Sequence, residues 1–217
     1  MTVVFISGSR TIPHLPSEVQ GRIDNMVDNG LHIVVGDSER GVDSKVLSYL
    51  YDRGYPNVSI YSIHPRSRIG RLLPDWSLEQ IAPDIPARQD KNGNATNRRE
   101  LETYKDRAMC DVCNFALVIW QDTYTNPRFG QTSVSAGSLR NAVQLLLAGK
   151  PVTMYHRSEG DMLEEDFTHC GLRSISALEE FVKSLDGIVQ ARFSKMVKDE
   201  SKLARDAAAM EQQHLDL

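Results

Sequence analysis

Five short apolar runs, each ending in a small or polar turn, limit most strongly what this chain can fold into. They are VVFIS at 3–7, LHIVV at 31–35, VSIYSI at 58–63, FALVIW at 115–120 and the shorter VTMY at 152–155. Runs of this length without polar alternation read as strands covered on both faces. The intervening segments supply the covers. Residues 17–29 space Val19, Ile23 and Met26–Val27 at helical intervals and stop at Gly30, and Val46, Leu47 and Leu50 share a face before Gly54. Further helices are predicted at 98–111, 136–147 and 178–185. Strand and helix alternate, so the strands pair in parallel through right-handed crossovers. The expected class is α/β: a doubly wound parallel sheet of about five strands, in the order 3-2-1-4-5, with a weaker strand near 172–175.

Two segments depart from this rhythm. Residues 64–96 hold prolines 65, 74, 83 and 86, several arginines, a lone Trp76 and DKNGNATN. An insertion of this length is a lid or a surface loop. Residues 121–134 read as a polar loop. From Asp186 the chain reads as one long helix, with Val189, Phe193, Met196, Glu200, Leu203, Ala207 and Met210 at heptad intervals and Glu200 as the charged defect. Such a seam packs on its own domain or on a second copy, so a homo-oligomer is expected through this helix. The boundaries follow: a sheet domain over 1–185 and a helical tail over 186–217.

Composition narrows the function classes. Apolar residues make up 41% and charged residues 25%, and the net charge of −4 gives no global attraction to duplex DNA. No apolar run reaches the ~18 residues of a membrane helix, and MTVVFISGSR lacks the basic and long apolar segments of a signal peptide. Three cysteines fit a reducing, cytoplasmic setting. Cys110 and Cys113 form a lone CxxC at a helix end, which reads as structural thiols, and the six histidines are scattered. His64 and His156 follow the third and fifth strands, where a general base would reach the cleft. There is no GxGxxG, P-loop, HExxH or GxSxG motif. No metal site and no cofactor is expected.

A doubly wound sheet takes ligands beyond the carboxyl ends of its strands, where the strand order reverses. After the first strand stand Gly8, Ser9 and Arg10: room for a ligand, a hydroxyl and a fork suited to phosphate. After the second comes GDSERGVD, with Gly36, Asp37, Gly41 and Asp43. Asp43 caps the following helix or accepts a ribose hydroxyl. Lys105 and Asp106 precede the fourth strand, and Gly137, Ser138 and Asn141 open the helix after it, a common cradle for phosphate. Arg68 is the candidate to close over the ligand.

The ordered motifs ISGSR (6–10), GDSERGVD (36–43), YKDRAM (104–109), IWQD (119–122) and GSLRN (137–141) resemble the SLOG superfamily. That superfamily holds the Rossmann-like domain of DNA-processing protein A and the Lonely Guy enzymes. The similarity is greatest to its small YspA-type members of bacteria and phages and covers about residues 2–156. It implies a Rossmann-like fold binding a nucleotide or nucleotide-derived ligand at these loops. Lonely Guy enzymes carry PGGxGTxxE, whose glutamate serves N-glycosidic cleavage; here SAGSLRNA has Asn141 near that place. Asp106, Asp37 or Asp43 would have to supply the carboxylate such chemistry needs. The leading expectation is therefore a binding module or sensor. The alternatives are a nucleoside or nucleotide N-glycosidase, or a related deoxyribosyl transfer, with Asp106 catalytic. Single-stranded DNA binding through Arg66, Arg68, Arg71, Arg88, Arg98 and Arg99 is a third.

Overall fold

The computed structural model describes residues 1–81, 88, 96–160 and 167–215, with side chains to residue 209. Its strands are β1 (Val3–Gly8), β2 (His32–Gly36), β3 (Val58–Ser62), β4 (Ser77–Gln80), β5 (Phe115–Gln121), β6 (Thr123–Thr125), β7 (Thr132–Val134), β8 (Val152–Arg157) and β9 (Thr168–Leu172). Its helices are α1 (Ser17–Asp28), α2 (Val42–Asp52), α3 (Arg98–Val112), α4 (Ala136–Leu147), α5 (Ile175–Lys183) and α6 (Gly187–Leu215). The central sheet has seven strands in the order β4-β3-β2-β1-β5-β8-β9. Its inner five, β3-β2-β1-β5-β8, are parallel and reproduce the expected 3-2-1-4-5 order.

Side-chain alternation divides the sheet into two cores. Val4 and Ile6 of β1, Ile33 and Val35 of β2, and Leu117 and Ile119 of β5 pack with Val19, Ile23, Val46 and Leu50 of α1 and α2. Phe5, Val34, Ala116, Val118 and Trp120 point the other way, against Met109, Leu139, Val143 and Leu146. Each fully buried aliphatic side chain stabilises the fold by about 1.5–3 kcal/mol relative to exposure. Hence the runs carry apolar residues on both faces rather than at alternate positions only.

Three expectations are corrected. The first part of the 64–96 insertion is built into the sheet rather than forming a lid. Trp76 is buried, its Nε1 donates to the Tyr55 carbonyl at 2.7 Å, and its ring meets Tyr51 edge-on. That anchor delivers β4 to the edge of β3. Pro83, Pro86 and most of DKNGNATN lie outside the described residues. The segment 121–134 is an antiparallel hairpin, β6 against β7, not an open loop. The last strand falls at Thr168–Leu172 and runs antiparallel to β8, displaced from 172–175.

The first positions of the tail seam face inward. Val189, Phe193 and Met196 are buried in the same core as α4 and α5. Glu200, the charged position, is 8% exposed, accepts from Arg107 at 2.9 Å and Gln144 at 3.1 Å, and lies 3.4 Å from Arg140. The defect in the apolar pattern is thus an ionic clasp. Beyond it Leu203 and Ala207 are exposed, and the Met210 side chain lies outside the described residues. No helix among the described residues is long and apolar enough to cross a membrane.

Gly8 ends β1 where α2 passes closest. A Cβ there would fall 2.2 Å from Val42 Cγ2 and 2.5 Å from the Ile119 carbonyl oxygen. Gly8→Ala is expected to lower stability by about 1–3 kcal/mol through overpacking. Urea unfolding measures it, and an unchanged midpoint would contradict this packing.

Candidate functional site

The order reversal lies between β1 and β5, which run side by side from Val4↔Phe115 to Gly8↔Ile119. Beyond their carboxyl ends the chain encloses a cleft of about 1040 Å³. Of the residues singled out from sequence, Gly8, Ser9, Arg10, Gly36, Asp43, Lys105, Asp106, Gly137, Ser138 and Asn141 line it. Asp37, Gly41 and Arg68 do not; they form the layer behind its floor.

That layer is held by charge. Asp37 is fully buried and takes a two-point hydrogen bond from Arg68, Nε at 3.0 Å and a terminal nitrogen at 2.6 Å, with Ser62 Oγ donating at 2.7 Å. Burial opposes its ionisation, but these donors and the charges of Lys105 and Arg68 outweigh it and bring its pKa down to about 2. The stability it contributes is full above about pH 4 and lost as pH falls toward 2. Arg68 therefore grips its own protein instead of reaching over the cleft.

Lys105 is 3% exposed. Its ammonium lies 2.7 Å from Glu102, 3.8 Å from Asp37 and 4.0 Å from Asp106. The glycine at the end of β2 makes room for it: a Cβ on Gly36 would stand 2.5 Å from Asp43 Oδ2 and 3.2 Å from Lys105 Nζ. Asp43 leaves the helix start uncapped and accepts instead from the Ser38 amide at 3.2 Å. Burial lowers the Lys105 pKa, but Asp106, Asp43 and Glu102 together raise it above the ordinary value, so it stays charged. Glu102 is buried at a cost, yet Lys105 first and then Arg68 and Arg10 hold it ionised.

With Asp37 and Glu102 ionised, Asp43 and Asp106 both line the cleft with raised pKa values. Burial raises the Asp43 pKa, and Lys105 offsets only part of that. Asp106 is pushed up to about 7 by burial, with Asp43 and Glu102 reinforcing and Lys105 opposing. Two carboxyls of raised pKa lining one cavity are the groups in it best suited to hold or pass a proton.

The opposite wall starts at Ser9. Its Oγ lies 2.8 Å from Ser135 Oγ and accepts from the Gln121 amide at 3.0 Å, tying the loop after β1 to the end of β5 and to the start of α4. No side-chain cap closes the first turn of α4. A Cβ at Gly137 would meet nothing within 4 Å, whereas those at Gly8 and Gly41 would strike protein. Gly41, with φ +75, lets the α2 start abut the backbone of Ser9 and Arg10. So the early glycines serve chain-on-chain packing, and Gly137 alone of the four in these loops leaves open space. Asn141 is buried, and its Nδ2 donates to Ser7 Oγ at 2.8 Å.

Three side chains missed from sequence also line the walls, Glu102, Arg140 and Arg192, and Arg99, read from sequence only as an oligonucleotide contact, joins them. Glu102 had a signal, standing three residues before Lys105 on one helix face. Arg192 had none, since only tertiary packing brings α6 to the cleft. Other candidates are placed elsewhere. His156 is buried between Trp120 and Phe181 with Nε2 3.1 Å from Asp122, away from the cleft. Burial first, and then Cys113, raises the Cys110 thiol well above its ordinary pKa, which suits an inert structural thiol.

No family model, curated protein or solved structure matches this chain.

A carboxyl held protonated in the fold but ionising near 4 when unfolded contributes stability below pH 4 and loses it as pH climbs through about 7. Asp106→Asn is therefore expected to be more stable than the parent at pH 8 and to converge with it at pH 4. Thermal melts across that range measure the difference, and parallel curves would contradict the assignment.

Proposed function

We propose that this chain binds a nucleotide or nucleotide-derived ligand in the cleft at the strand-order reversal, as a binding module or sensor. One observation carries the reading: the loops after β1, β2 and β5 converge on a single cleft with the Asp43–Asp106 pair on one wall and the uncapped start of α4 on the other. Carboxyl oxygens accept sugar hydroxyls, and open helix-start amides accept a phosphate. The resemblance of the five ordered motifs to the SLOG superfamily supports the same ligand class. Arg10, 60% exposed at its side chain and only 3.7 Å from Glu102, stands at the rim within reach of a ligand.

Asp106 favours a second reading, N-glycosidic hydrolysis. A carboxyl titrating near 7 can act as a general acid at neutral pH. In that reaction the C1′–N bond breaks and the departing base takes the Asp106 proton. Water then gives its hydroxyl to C1′ and its remaining proton to the Asp106 carboxylate. Asp43 would stabilise the cationic sugar.

Incubation with nucleoside monophosphates and nicotinamide dinucleotides separates the readings. Binding is expected to raise the melting temperature with no free base released, and Arg10→Ala is expected to weaken that shift while leaving the fold intact. Free base that disappears in Asp106→Asn would establish hydrolysis instead. Neither stabilisation nor base release across the panel would overturn both.

A further inference from the structure

Three arginines from three helices line the same cleft: Arg99 of α3, Arg140 of α4 and Arg192 of α6. Among the described residues Arg140 has one carboxylate partner, Glu200 at 3.4 Å, which Arg107 also engages at 2.9 Å. No ion pair among the described residues engages Arg99 or Arg192. Burial first lowers the hold of Arg140 on its proton, and the fields of Arg99 and Arg192 add to it, with Glu200 and then Asp106 opposing. Arg140 thus feels two further guanidiniums across the cleft, and neither of those has a carboxylate of its own among the described residues; Arg140 and Arg192 are half-buried and Arg99 is exposed. Packing like charges along a cavity wall is costly unless an anion occupies the space between them.

We propose that Arg99, Arg140 and Arg192, with the first turn of α4 at Gly137–Ser138, form a subsite for a phosphomonoester dianion. The C-terminal helix is then part of the ligand site, not an appendage to it. A monoester carries nearly two negative charges at neutral pH, which matches several unbalanced guanidiniums better than the single charge of a diester. Planar guanidiniums from different directions can each donate to separate phosphate oxygens. The proposal deepens the nucleotide reading and rests on it for the identity of the rest of the ligand.

Calorimetric titration of the full chain with the common ribonucleosides, their 5′-monophosphates and inorganic phosphate tests it. The best monophosphate is expected to bind at least about tenfold more tightly than its nucleoside, as charge-assisted hydrogen bonds imply. Arg99→Ala and Arg192→Ala are each expected to collapse that ratio toward one while leaving nucleoside affinity unchanged. Arg192→Lys should restore part of it. Circular dichroism and melting temperature confirm that each variant is folded. Equal affinity for nucleoside and monophosphate would overturn the subsite and leave the nucleoside-binding reading standing. Arg192-dependent binding of inorganic phosphate, with no nucleoside or nucleotide bound, would support the subsite and overturn the nucleotide reading. Tighter binding of a short oligonucleotide than of any monophosphate would overturn the choice of a monoester. No binding of any probe would overturn both.

Discussion

A buried ammonium organises this protein. Lys105 is 3% exposed, sits under the carboxyl ends of β1 and β2, and has Glu102, Asp37, Asp43 and Asp106 around it. Leaving such a charge without partners would cost several kcal/mol. Arg68 pairs with Asp37 and Glu102, Arg10 lies within 3.7 Å of Glu102, and burial still raises the pKa of Asp43 and of Asp106. The fold holds Asp37 and Glu102 ionised and raises the pKa of Asp43 and Asp106, which line the cleft together with Glu102. The network thereby fixes α3 against the sheet and sets the chemistry of the floor in one step.

The cleft is polar in a second sense. Carboxyls stand on the side of α2 and α3, and arginines on α4, on α6 and at the start of α3. A ligand with hydroxyls at one end and negative charge at the other complements both walls. Glu200 connects this arrangement to the tail, because it clasps Arg140 and Arg107 while Val189, Phe193 and Met196 bury the helix around it. The early glycines contribute indirectly. Gly8, Gly36 and Gly41 let α2, Lys105 and the loop after β1 approach so closely that the functional groups converge.

Much of the fold was legible because buried parallel strands leave continuous apolar runs. The inner five strands, their order and the helix positions follow from that pattern and from handedness. The edge strands were not legible. β4 is SLEQ, a polar stretch pinned by Trp76, and β9 is THCGL, with no sustained apolar signal. Short antiparallel segments such as β6 and β7 depend on their partner, and their composition alone reads as loop. The motif loops named from sequence do meet at one cleft, but the contacts of each residue there were not legible. Asp37 and Arg68 attracted notice as polar residues in suitable loops, yet they satisfy each other behind the cleft. Arg192 lies well beyond the last of the motif loops, which ends at Asn141, and reaches the cleft only through tertiary packing of α6. The single charged defect at Glu200 marked where that packing is locked.

The central claim is that the Lys105-centred cleft between β1 and β5 is where this protein takes its ligand. A crystal structure of the protein soaked with a mixture of nucleoside monophosphates tests it most directly. The account predicts density in that cleft, with sugar hydroxyls on Asp43 or Asp106 and phosphate beside Gly137 and Arg192. A nucleotide bound clearly elsewhere on the surface, with the cleft occupied only by solvent, would contradict it.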